Sequence, residues 1–214
     1  MTRAAWGALL LALGSRPAAG QLLTVGPEFV LADYREVASG LRYRGSGLGA
    51  ALWARRDRLS VEAAVVRVSL DPAAGSAATT SFTATQVDAW VAYDVAAYAS
   101  IEVGLLHRSA DPEFDAQSVG AVRVGARSFY DIGPGATVVF RANYLAAPKF
   151  SGGGRATVSL DLGLGLDLRL AGRLHGTATY AFTRMNRRTN PGGTGEVDAP
   201  IQQSVARVGL ALAL

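Results

Sequence analysis

Between residues 156 and 170 apolar and non-apolar residues alternate without a break. Ala156, Val158, Leu160, Leu162, Leu164, Leu166, Leu168 and Leu170 share one parity. Thr157, Ser159, Asp161, Gly163, Gly165, Asp167 and Arg169 share the other. Successive side chains of a strand point to opposite faces, so this segment makes one face of almost pure leucine and one of charge and glycine. A helix would scatter Asp161, Asp167 and Arg169 among the leucines and lose its amphipathicity.

The same period returns along the chain. Val87, Ala89, Val91, Tyr93 and Val95 oppose Asp88, Trp90, Ala92 and Asp94; Ile101, Val103 and Leu105 oppose Glu102 and Gly104. Val122, Val124 and Ala126 oppose Arg123, Gly125 and Arg127. Val138, Phe140, Ala142 and Tyr144 oppose Thr137, Arg141 and Asn143. At the C-terminus Val208, Leu210, Leu212 and Leu214 oppose Arg207, Gly209, Ala211 and Ala213.

Composition decides which face looks outward. A soluble sandwich hides its apolar face and shows a hydrophilic one. Here only 18% of residues are charged, against about 25% in typical soluble domains, and Lys149 is the one lysine. Small residues and balanced charges suit a narrow, crowded interior, and long unbroken apolar faces suit lipid. A membrane barrel has that inverted order, apolar outside and polar inside.

Turn residues divide the chain into ten strands, near 22–34, 46–55, 59–70, 83–95, 100–109, 118–130, 136–146, 155–169, 173–184 and 201–214. Short connections (55–58, 95–100, 131–135, 170–173) alternate with longer, more polar ones (35–47, 71–82, 109–118, 147–154, 185–200), the asymmetry of barrels with tight periplasmic turns and larger outer loops. Eight strands is the rival count, because the first hairpin is weakly marked. Glu62 and Arg67 fall on opposite parities, which suggests a bulge in the third strand. Trp53, Tyr98 and Tyr130 near the short turns, with Tyr34, Tyr144, Phe150, Tyr180 and Phe182 toward the long loops, suggest two aromatic belts.

Residues 1–20 have a basic start, a short apolar core and the small-residue exit Ala18-Ala19-Gly20, the pattern of a secretory signal; the barrel domain is then 21–214. Without Arg3 and Arg16 the formal charge of +4 falls to +2. No dense basic run remains, so nucleic acid is not an expected partner. With no cysteine, disulfide, thiolate-metal and cysteine-nucleophile chemistry are excluded.

These features together resemble the small outer-membrane β-barrel proteins of diderm bacteria, over about residues 21–214. The resemblance implies an all-β, closed, antiparallel up-and-down transmembrane barrel in the outer membrane. It also implies outer-membrane lipid as a neighbour and a C-terminal strand read by the barrel assembly machinery. That strand commonly ends in an aromatic, where Leu214 stands here.

The inferred inward set is Asp88, Asp94, Glu102, Asp161 and Asp167 with Arg123, Arg127, Arg141, Arg169 and Arg207, near balance in sign. A barrel of eight to ten strands leaves little bore, so these charges are expected to fill the lumen as a network. A narrow pore for small solutes is the second reading. The expected role is structural, surface-interacting or pore-forming, with no cofactor.

Other chemistry is weaker. Gly45-Ser46-Gly47-Leu48-Gly49-Ala50 fits a dinucleotide fingerprint by letter but lacks the strand before it and the helix after it. His107 and His175 alone do not make a metal site. His107-Arg108-Ser109 is similar to the His-x-Ser of outer-membrane lipid A deacylases, which continue with Asn where Ala110 stands. That resemblance implies a lipid esterase using His107 and Ser109 as an alternative function. The ten-strand count is also similar to that of outer-membrane proteases with Asp/His pairs at the rim, whose outer walls this chain lacks. A soluble periplasmic barrel holding an apolar ligand is the third alternative.

Overall fold

The computed structural model describes residues 21–190 and 195–214; the signal segment expected at 1–20 lies outside them. Ten long strands form the wall: β1 (Gln21–Glu36), β2 (Leu41–Arg56), β3 (Leu59–Pro72), β4 (Phe82–Ala96), β5 (Ala99–Ala110), β6 (Val119–Gly133), β7 (Ala136–Phe150), β8 (Arg155–Ala171), β9 (Leu174–Thr189) and β11 (Ile201–Ala213). A two-residue strand, β10 (Val197–Asp198), pairs with the far end of β9. Each long strand pairs antiparallel with its sequence neighbour, and β11 pairs with both β9 and β1, which closes the cylinder. Closure leaves no edge among the long strands, the condition for a sheet to span lipid.

One end carries only two-residue turns: Asp57-Arg58, Ala97-Tyr98, Pro134-Gly135 and Gly172-Arg173. Pro134 presets its φ and Gly135 takes a left-handed φ of 78°, the combination a tight proline-glycine turn requires. The other end carries the longer connections, one of which is a 3-10 turn, Pro112–Gln117. The first hairpin differs from the expected long loop at 35–47: residues 37–40 alone make the turn, with Gly40 at a φ of 69°, and Leu41–Gly45 continue β2. Polar residues there read as loop, yet they form the exposed outer face of a strand.

The third strand also differs from expectation. Its register with β2 and β4 runs unbroken from Leu59 to Leu70, without a bulge. Val61, Ala63 and Val65 point outward, and so does Arg67; Glu62, Val66, Val68 and Leu70 all point inward. The strand keeps its parity while its chemistry changes sides.

That change recurs around the barrel. Toward the two-residue turns the outer face is apolar, with Phe29, Leu31, Leu48, Val91, Val103, Val124, Leu162, Leu164 and Val208 exposed. Beyond a seam it turns polar: Asp33 and Arg35, Arg44 and Ser46, Arg67 and Ser69, Thr83 and Thr85, His107 and Ser109, Arg184 and Asn186, Gln202 and Ser204. The inner face changes the opposite way. Above the seam it holds an apolar cluster that includes Val30, Tyr34, Tyr43, Val68, Leu70, Phe82, Leu145, Met185 and Ile201. The expectation of a polar interior along the full height is therefore corrected: where a strand leaves hydrocarbon it faces water, so the soluble rule returns. On β8 the outward run from Val158 to Leu170, at about 3.3 Å per residue and a tilt of about 45°, rises about 28 Å, matching an apolar band of about 25 Å.

Candidate functional site

The interior holds two layers. The charged layer lies beside the apolar belt and is built from inward positions of nearly every strand. Asp88 of β4, buried completely, receives Arg123 Nη1 at 2.6 Å and also pairs with Arg207. Arg123 Nε lies 3.0 Å from Asp161, whose other oxygen accepts the Thr183 hydroxyl at 2.7 Å. Arg141 bridges Glu62 and Glu102, each at 2.8 Å. Arg127 pairs with Glu62 and Ser60, and Asn143 donates to Glu102 at 2.9 Å. Trp90 lies between two cations: the guanidiniums of Arg123 and Arg141 sit 4.6 and 4.5 Å from its ring centroid. Such contacts stabilise an arginine held away from water.

Of the expected interior residues, Asp88, Asp94, Glu102, Arg123, Arg127, Asp161 and Arg207 are buried, and Arg141 is nearly so. Asp94 stands apart, near the two-residue turns, with Ser100 and Arg55 at 2.5 and 2.7 Å. Asp167 and Arg169 do not join the network. They lie at the open mouth, where Asp167 is 2.7 Å from His175 Nδ1 and Arg169 is exposed. Their strand positions are inward, but the wall there is too close to its end to shield them.

Glu28, Glu62 and Arg108 were missed by sequence reasoning. Glu62 was obscured by the apparent parity break. Arg108 is buried, stacks 4.5 Å over Tyr34 and donates to Gln203 at 2.6 Å. Gln203 donates to Gln86 at 3.0 Å, and Gln86 to Asp88 at 2.9 Å. The other nitrogens of Arg108 hold the Gln117 carbonyl of the 3-10 turn. A continuous chain of hydrogen bonds thus ties the outer strap to the charged layer.

The apolar layer lies above the charges. Tyr34, Tyr43 and Phe82 meet edge to face or tilted, with Phe82 and Tyr43 centroids 4.9 Å apart. Phe114 of the strap stacks on Phe82 from above, 4.9 Å away and 15° from parallel. Tyr34 and Phe150, expected in an outer belt, are buried in this layer, and Trp53 also faces inward. Tyr98 and Tyr130 are exposed at the turn end and stack 6.3 Å apart; Tyr144 and Tyr180 are exposed toward the seam.

The glycines of 45–49 serve the wall. Gly45, Gly47 and Gly49 share the inward parity of β2. A Cβ on Gly47 would stand 1.9 Å from the Arg67 carbonyl oxygen, so only glycine permits this close approach to β3. No helix follows.

His107 and Ser109 both point outward on β5, and Ser109 Oγ is 3.0 Å from His107 Nε2. Among the described residues no carboxylate bonds the ring; Asp111, nearest of the loop acids in sequence, accepts from the Thr83 amide instead. Among the described residues no cluster of three or more potential metal ligands forms.

No protein-family model matches the chain, and no curated protein matches it. Solved structures do. The outer membrane protease OmpT from Escherichia coli is similar over 94% of this chain and 99% of that one, at 9% identity and a TM-score of 0.52. Neisserial surface protein A is similar over 92% and 99%, at 11% identity and a TM-score of 0.44. At such identity the likeness is one of fold: this is a closed β-barrel of the outer-membrane type, and its apolar belt is the surface that location requires.

Proposed function

We propose that the protein is a non-enzymatic outer-membrane barrel with a filled lumen, acting as a structural or surface-interacting element. The observation that carries this reading is the stacking of two side-chain layers across the bore. An ion-paired layer spans β1, β3–β8 and β11, and an apolar septum with Tyr34, Phe82, Leu145 and Met185 lies above it. Water and ions would have to cross both. The expected partners are outer-membrane lipid along the belt and the assembly machinery at β11.

Reconstitution into planar bilayers tests the reading. Insertion without discrete conductance steps is the expected result; reproducible steps would establish a small-solute pore instead. The lipid-esterase reading rests on the 3.0 Å contact between His107 and Ser109 and lacks an orienting acid among the described residues. It requires ester hydrolysis that disappears in Ser109→Ala, and an inactive wild type removes it. A soluble periplasmic barrel would stay in solution without detergent, which the exposed Leu/Val belt opposes.

A further inference from the structure

The seam is uneven in charge, and one sector is strongly basic. Across four adjacent strands, Arg42 of β2 stands opposite Arg35 of β1, Arg35 opposite Gln202 of β11, and Gln202 opposite Arg184 of β9. All four point outward. One row closer to the belt, Arg44 faces Asp33. On these four strands the carboxylate in the two rows is Asp33, shared by Arg42 at 2.8 Å and Arg44 at 2.9 Å; on β3, Asp71 stands opposite Arg44 on its other side.

The sector is undercompensated. Arg35 is exposed and has no side-chain hydrogen bond or ion pair among the described residues. Among the described residues Arg184 donates a side-chain hydrogen bond to the neutral amide of Asn186 alone. The Nε of Arg42, whose Nη2 holds Asp33, is buried without a hydrogen-bond partner among the described residues. Like charges placed directly opposite on paired strands repel, so the Arg35–Arg42 pair carries a cost that an anion between them would remove.

A crevice runs along this row, lined by residues that include Arg35, Arg42, Asp33, Gln202, Tyr180 and Phe182; Asp33 is already engaged by Arg42 and Arg44, and Arg184 stands beside the crevice, opposite Gln202. Its cationic side faces away from the membrane. Its other side is aromatic and continues into the exposed Leu31 and Leu162 of the belt. Neighbouring strands are about 4.8 Å apart, so Arg35 and Arg42 stand one strand spacing apart and Arg184 two strands beyond Arg35; guanidinium forks favour phosphate oxygens as bidentate partners.

We propose that this crevice binds a phosphate-bearing lipid of the surrounding leaflet, its phosphate held by Arg35, Arg42 and Arg184 and its acyl chains lying along Phe182, Tyr180 and Leu31. The phosphate must carry chains, because cation and apolar wall are parts of one surface. The proposal rests on the membrane reading above, in which the seam lies at headgroup level.

The test uses the full folded barrel in neutral detergent with three probes: phosphatidic acid, the matching diacylglycerol, and inorganic phosphate. Binding is read by native mass spectrometry and titration calorimetry. Phosphatidic acid is expected to bind at least tenfold more tightly than either other probe. The exposed-site variant Arg35→Gln/Arg184→Gln is expected to lose at least tenfold, while Arg67→Gln, at the seam but outside the crevice, keeps wild-type affinity. Equal affinity for diacylglycerol, equal affinity for inorganic phosphate, or an unaffected double variant would each overturn the proposal. Folding of every variant is read independently by heat-modifiable migration. Insertion of the wild type into neutral vesicles tests the membrane reading without involving the arginines.

Discussion

Asp88 has two guanidinium partners, Arg123 and Arg207, both largely buried. Its removal leaves Arg123 with Asp161 and Arg207 with only the 3.9 Å contact to Glu28, one negative charge short in the buried layer. Asp88→Ala is expected to destabilise the barrel by about 3–5 kcal/mol, because breaking one side of a buried ion pair leaves uncompensated charge. Asp88→Asn keeps hydrogen-bonding capacity and is expected to cost less. Urea unfolding in detergent, followed by loss of the compact electrophoretic form, measures both. The inward parity of Asp88, Glu102, Arg123 and Arg207 is plain in the alternation. Their pairing is not, because Asp88 and Arg207 are 119 positions apart. Glu62 was hidden for a different reason: apolar Val66, Val68 and Leu70 follow on its own parity.

On β3 and β8 the environment changes with height, so the same substitution has two costs. Leu164→Arg, in the middle of the β8 belt, is expected to impair insertion by about 2–4 kcal/mol, while Ser69→Arg, outward but beyond the seam, is expected to cost about 0–1 kcal/mol. Folding into vesicles across a urea series distinguishes them. Arg67 is the natural control, an outward arginine that the barrel already carries at the seam. Gly47 sets a limit of another kind. Gly47→Val would drive a side chain into the β3 backbone, and the expected outcome is failure to reach the heat-modifiable folded form. Strand boundaries were legible wherever proline, glycine and polar residues interrupt an alternating run. The first hairpin was not, since outward polar residues above the belt look like loop residues.

As a whole, the barrel is a membrane cylinder with a soluble-like cap. The lower part places leucine and valine against lipid and arginine–carboxylate pairs inside; the upper part places arginine, serine and aspartate against water and aromatic residues inside. On the proposed filled-lumen reading, the cap is one of the two layers that block the bore. Leu145→Ala, which removes a fully buried side chain of the septum, is expected to cost about 2–5 kcal/mol through the cavity it leaves. It is also expected to leave the bilayer electrically silent, because the charged layer below remains. Thermal unfolding and single-channel recording check the two halves of that statement.

Alternation and turn spacing pointed to ten strands in meander order and to the parity of most side chains, those of the third strand excepted, because both act between residues close along the chain. Chain closure decided the rest. It brought Glu62 to Arg127, 65 positions away, and it fixed the height at which the wall leaves hydrocarbon. Parity is a local property of the backbone, whereas the medium on either side of the wall exists only once the cylinder has formed and taken its depth in lipid.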